Sequence, residues 1–129
     1  MKVPEINLLV AWIGILLGFL SGLGLGLNFH RDDWLGGYGS WKRRLYRLGH
    51  ISFFGLAVMN LMFYFTARNL LMMGPGTTLA AWGFIIGAIS MPICCLLMAH
   101  HKKTQPLFAI PVLSLVVGSV LTIWEVTKL

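Results

Sequence analysis

Four apolar stretches, near residues 6–28, 48–67, 78–99 and 107–127, account for most of the chain. Each is about long enough to cross a hydrocarbon core of roughly 30 Å at roughly 1.5 Å rise per residue. Their length and continuity point to an all-α integral membrane protein, a single four-span domain over residues 1–129 folded as a four-transmembrane-helix bundle. Composition closes off the soluble alternative. With 57% apolar residues, 11% charged residues and a mean hydropathy of +0.80, the chain lacks the polar shell that burial in water requires. The first stretch follows Lys2 as a secretory leader would, but it is longer than a leader core and has no small-residue cleavage site before charge resumes at His30 and Arg31, so it reads as a retained span.

Threading the four spans places Arg31, Lys42, Arg43, Arg44, Arg47, Lys102 and Lys103 at one face, and Lys2, Arg68 and Lys128 at the other. Seven basic residues against three in short loops is the asymmetry that orients polytopic proteins, so the expectation is a cytoplasmic basic face with both termini outside. All four histidines, His30, His50, His100 and His101, fall on that face. A net charge of +6 would suggest nucleic acid in a soluble protein. Here the charge flanks membrane ends and lies among Trp34, Tyr38, Trp41 and Tyr46, which points to a bilayer with anionic headgroups as the partner and to no nucleic acid.

Gly14, Gly18, Gly22 and Gly26 form a four-residue repeat along one stripe of the first span. In lipid, close backbone approach through small residues is a main source of helix packing, so a neighbour is expected in this groove, either within the chain or on another subunit. Ser114, Gly118 and Thr122 in the fourth span and Gly83 and Gly87 in the third repeat the spacing. The loop over residues 29–42 carries Gly36, Gly37 and Gly39 and is expected at the interface, with Ser40 capping a helix that runs on into the second span. Arg43, Arg47 and His50 share a stripe of that helix, the arginines climbing toward headgroups and His50 entering the core. Asn60 is expected to make an interhelical hydrogen bond, Arg68 to snorkel and Glu125 to lie at the outer interface.

Two constellations suggest redox chemistry. Met91, Cys94, Cys95 and Met98 approach one stripe near His100 and His101, and thioether, thiolate and imidazole suit Cu(I). Against a copper site, adjacent cysteines diverge by about 100° on a helix, and Pro92 is expected to kink the stripe. His50, His100 and His101, with Arg43, Arg47 and Lys102 nearby, have the residue types for a b-type haem, but all lie close to the membrane boundary, where hydrogen bonding is the ordinary role of a histidine. No Ser-His-Asp set, buried acid pair or H-E-x-x-H motif occurs, so an enzyme is not expected. The small multidrug-resistance pumps share the size and four-helix plan, but they carry an acidic residue inside the first span and this chain has none there. The string RLYRLGHISFFGLAVMNLMFYF resembles four-span bacterial membrane proteins, which implies a bacterial inner (cytoplasmic) membrane. The leading expectation is an accessory or structural subunit of a larger membrane complex, respiratory or redox assemblies among them, associating with other membrane subunits or with itself and without a cofactor. A haem b or copper redox protein and a small transporter are the alternatives.

Overall fold

The computed structural model describes residues 2–70 and 74–129, and within them the chain is helical with no strand. The helices are α1 (Val3–Gly26), α2 (Trp41–Asn69), α3 (Pro75–His100) and α4 (Ala109–Val126), with short 3-10 turns at Trp34–Gly36 and Lys102–Phe108. All four are long and apolar enough to cross a membrane. Local chemistry sets their ends. Pro4 and Glu5 occupy the first turn of α1, where a missing N–H costs nothing and a carboxylate complements the helix dipole. Ser40 caps α2, its Oγ accepting from the Arg43 N–H at 3.2 Å. Just before it the chain reverses through positive φ at Leu35, Gly36 and Gly37, the last two at the values that glycine adopts freely. Pro92, expected to kink the third span, lies inside the single helix Pro75–His100.

The helices run up and down in sequence order. Side chains near the start of α1 and the end of α2 share a pocket (Pro4, Glu5, Tyr64, Ala67), and Glu125 at the end of α4 presses against Gly76 at the start of α3. This is the terminal end of the bundle. At the opposite, basic end, Ser21 of α1 meets His50 of α2, and Tyr46 of α2 meets His100 of α3.

Small residues bring the backbones together. A Cβ on Gly83 would lie 2.7 Å from the Ser114 carbonyl oxygen and 3.1 Å from the Gly118 Cα, so α3 and α4 touch main chain to main chain. Three members of the α1 stripe face α2 of the same chain. A Cβ on Gly14 would stand 3.1 Å from the Ala57 Cβ, one on Gly18 would strike the Phe54 ring at 2.6 Å, and one on Gly22 would strike His50 Cε1 at 2.9 Å. Gly26, by contrast, faces open space. Below this contact, Phe63 and Phe84 pack at 5.2 Å between centroids among Ala67, Ala80 and Ala81.

A buried polar clamp ties three helices at the terminal half. Asn7 Nδ2 donates to Asn60 Oδ1 at 2.8 Å and to the Ala81 carbonyl at 3.1 Å, while Asn60 Nδ2 donates to the carbonyls of Leu56 and Phe84. Both side chains are fully buried. Asn60 thus makes the expected interhelical bond, and its partner Asn7 completes it.

Candidate functional site

Asn7 holds α1 to α3 at the terminal end. Toward the basic end two apolar pockets, of about 380 and 390 Å³, lie between α1 and α3 above α2. They adjoin at Phe53, Pro92 and Leu96, which line both, and form one groove. Its floor is α2 (Gly49, Phe53, Leu56, Ala57), and its walls include Ile13, Leu17 and Leu25 on α1 and Ile89, Pro92 and Ile93 on α3. Small residues create the room: Gly24 lines the groove with nothing within 4 Å of where a Cβ would stand, and Pro92 and Ala88 add little bulk opposite. The rim residues Ile13, Ile89 and Leu96 are exposed, so the groove opens sideways rather than into the bundle.

The groove is polar at one end only. Ser21, Asn28, Trp34 and Tyr46 line it where it meets the basic end. Tyr46 Oη and His100 Nε2 lie 2.8 Å apart, and Trp41 Nε1 donates to the Met98 carbonyl at 2.8 Å, one of the last four carbonyls of α3 that the helix itself leaves unpaired. Lys102 sits over the Trp41 ring at 5.2 Å.

Beside the groove end the loop over residues 29–40 folds onto two arginines. The Arg43 guanidinium lies 5.6 Å from the Trp34 centroid and 5.5 Å from the Tyr38 centroid, and Arg47 lies 4.0 Å from the Tyr38 centroid. Arg43 is only 3% exposed, so it is buried under the loop, whereas the stripe alone led one to expect it among headgroups. The reason is the loop's conformation: its left-handed turn at Leu35–Gly37 brings Trp34 and Tyr38 over the first turn of α2. Arg43 Nη1 donates to the Arg31 carbonyl at 3.2 Å. Arg43 Nε and Arg47 Nη1 are buried without a hydrogen-bond partner. Asp32 and Asp33 stay exposed, and among the described residues the one ion pair is Lys128 with Glu125 at 2.8 Å. Two cation–π contacts of up to about 2 kcal/mol each and one charge-assisted hydrogen bond of about 1.5–3 kcal/mol roughly match the several kcal/mol that burying a guanidinium costs. No counter-charge contributes.

The histidines disperse among different partners. His50 Nδ1 is 2.9 Å from Ser21 Oγ and its ring meets Phe54 edge-on, which places it in the α1–α2 seam. His100 turns to Tyr46, and His101 is exposed at the end of α3. The sulfur residues disperse as well. Cys94 donates from Sγ to the Leu107 carbonyl at 3.5 Å, Cys95 is fully buried against Gly49, Met98 packs with Leu45 and Ala99, and Met91 is half-buried one turn before them. Both thiols are free. Among the described residues no three His, Cys, Asp or Glu side chains gather as a metal set.

Sequence reasoning missed Asn7, Ser21, Asn28 and the groove itself. Asn7 had a signal, an amide a few residues into an apolar run. Comparison with protein-family models, curated proteins and solved structures finds no match to this chain.

Proposed function

We propose that this chain is an integral membrane accessory protein that works by binding rather than by catalysis, taking a hydrophobic ligand or segment from the bilayer into the groove between α1 and α3. One observation carries the reading: an apolar groove opens sideways between α1 and α3, while glycine contacts and paired polar side chains draw α1 to α2 and α3 to α4 along their lengths. Ser21, His50, Asn60 and Tyr46 are each engaged with a neighbouring helix, so these polar groups serve assembly. A component of a larger membrane complex, including a redox complex, is the setting we propose for such a binding role. We place the basic end in the cytoplasm and both termini outside, in a bacterial inner membrane, because seven of the ten Lys and Arg residues lie at that end.

Native mass spectrometry of the protein released from its own membrane into mild detergent tests the binding role. Wild type should carry a bound lipid-sized or chain-sized mass, and Gly24→Leu, whose Cβ meets nothing within 4 Å and whose longer side chain takes up groove volume, should lose it. Bare protein in both preparations would sink the proposal. Topology is tested separately by labelling single cysteines introduced at Gly37 and Gly74 in a variant lacking Cys94 and Cys95. The two should label from opposite sides.

A further inference from the structure

We propose that the groove holds an acyl chain of one anionic phospholipid, with the lipid phosphate at Arg43. The inference rests on the reading of the groove as a binding site and names its occupant.

Polarity along the groove is the first reason. From Ile13 to Leu25 the α1 wall is apolar apart from Ser21, while Asn28, Trp34 and Tyr46 gather at one end. That gradient matches an amphiphile lying along the helix axis. The thirteen steps from Ile13 to Gly26, where α1 ends, span about 20 Å at about 1.5 Å each, deeper than one leaflet of a core of roughly 30 Å, so an extended chain has wall to lie against along its length.

Charge is the second reason, and it is independent of the groove's shape. Arg43 stacks on Trp34, a groove-lining residue, and is almost wholly buried. Its Nε has no partner, and Arg47 Nη1, whose guanidinium lies over the Tyr38 ring, has none either. Neither guanidinium pairs with a carboxylate, although Asp32 and Asp33 are in the same loop. Two cations with unused N–H groups and no internal counter-charge select a headgroup of net negative charge, whose phosphate oxygens accept in the geometry that a guanidinium fork presents and which carries no choline cation for the arginines to repel. A partner helix docked in the groove would use the apolar walls but would leave these N–H groups unanswered.

The test is a lipid titration of the delipidated, full-length protein in mild detergent, read by native mass spectrometry. Phosphatidylglycerol and phosphatidylcholine with identical chains are the probes, and inorganic phosphate is the competitor. In wild type one phosphatidylglycerol should bind ahead of any further adducts, with phosphatidylcholine weaker by about fivefold for each cation engaged. Gly24→Leu should remove the first adduct of either lipid, and Arg43→Gln should reduce phosphatidylglycerol to the level of phosphatidylcholine. Inorganic phosphate should displace little, since it has no chain. Equal binding of the two lipids by wild type overturns the inference, as does retention of phosphatidylglycerol by Gly24→Leu with ready displacement by inorganic phosphate, which would mark a free-phosphate site. The two readings fail differently. If Gly24→Leu leaves both lipids bound as before, the groove is not the site; if it weakens both alike while Arg43→Gln weakens neither, the groove binds but without a headgroup preference. Circular dichroism and elution volume establish that each variant is folded. Should Arg43→Gln not fold, Arg43→Lys must keep the preference for phosphatidylglycerol and Arg47→Gln must diminish it.

Discussion

The two ends of this bundle solve helix packing in opposite ways. At the terminal half, α3 and α4 meet backbone to backbone at Gly83 and Gly118, Phe63 and Phe84 fill the space beside them, and Asn7 and Asn60 bind α1, α2 and α3 with three interhelical hydrogen bonds. At the basic half, α1 and α3 are separated by the groove, and the joining is done by Tyr46–His100 and Trp41–Met98 between α2 and α3 and by Arg43, buried under Trp34 and Tyr38 of the loop. In the bilayer proposed above there would be little hydrophobic force to draw helices together, so a seam closes only where small residues or hydrogen bonds make it close. The open half lacks both between α1 and α3. A protein that needed only a stable anchor would have no use for that difference, which is why the groove carries the functional reading.

The largest contrast should come from adding one methyl group to each half. Gly83→Ala forces a Cβ against the Ser114 carbonyl and the Gly118 backbone, neither of which is a side chain that can swing away, so it should destabilise the bundle by about 1–3 kcal/mol. Gly24→Ala meets nothing and removes a flexible helix residue, so it should be neutral or stabilising by up to about 1 kcal/mol. Thermal unfolding in one detergent measures both. Similar losses for the two would mean that the open half is packed more tightly than its geometry indicates.

The Asn clamp should give the next largest effect. Asn60→Leu removes the acceptor of Asn7 and leaves a fully buried amide short of a partner, for a cost of about 1–3 kcal/mol. Replacing Asn7 by Leu as well removes the stranded group, so the double variant should lose less than the two single losses added together. Strict additivity would show that the two amides are not coupled, and with it the clamp would cease to distinguish the halves.

How much of this could be read in the chain follows the same division. The four helices, the Ser40 cap and the Asn60 bond rest on local pattern or on a single polar residue in an apolar run, and such signals are visible one residue at a time. The α1 glycines announced a close neighbour, but not that His50 and Phe54 of α2 would supply it or that Gly26 would stay open, because a stripe names a face and not its partner. The groove was not legible, since it exists only where three helices diverge and no residue type marks an absence of contact. Arg43 was misjudged for a related reason: its burial depends on where the loop places Trp34 and Tyr38, which a stripe along α2 does not contain.

The smallest effect expected is at His50, in the seam between the two regimes. Its Nδ1 bonds to Ser21 Oγ, which also donates to the Gly18 carbonyl, and its ring fills the space over Gly22 and leans on Phe54. His50→Ala leaves Ser21 with its bond to Gly18 and opens a small gap that Phe54 can partly fill. The loss should be near the worth of one neutral hydrogen bond, about 0.5–1.5 kcal/mol, and the purified protein should show no Soret band before or after the change. The preference for phosphatidylglycerol should survive, because His50 does not line the groove. A stoichiometric haem spectrum that disappears with His50 would reverse this ordering. It would make the seam, rather than the groove beside it, the working part of the molecule.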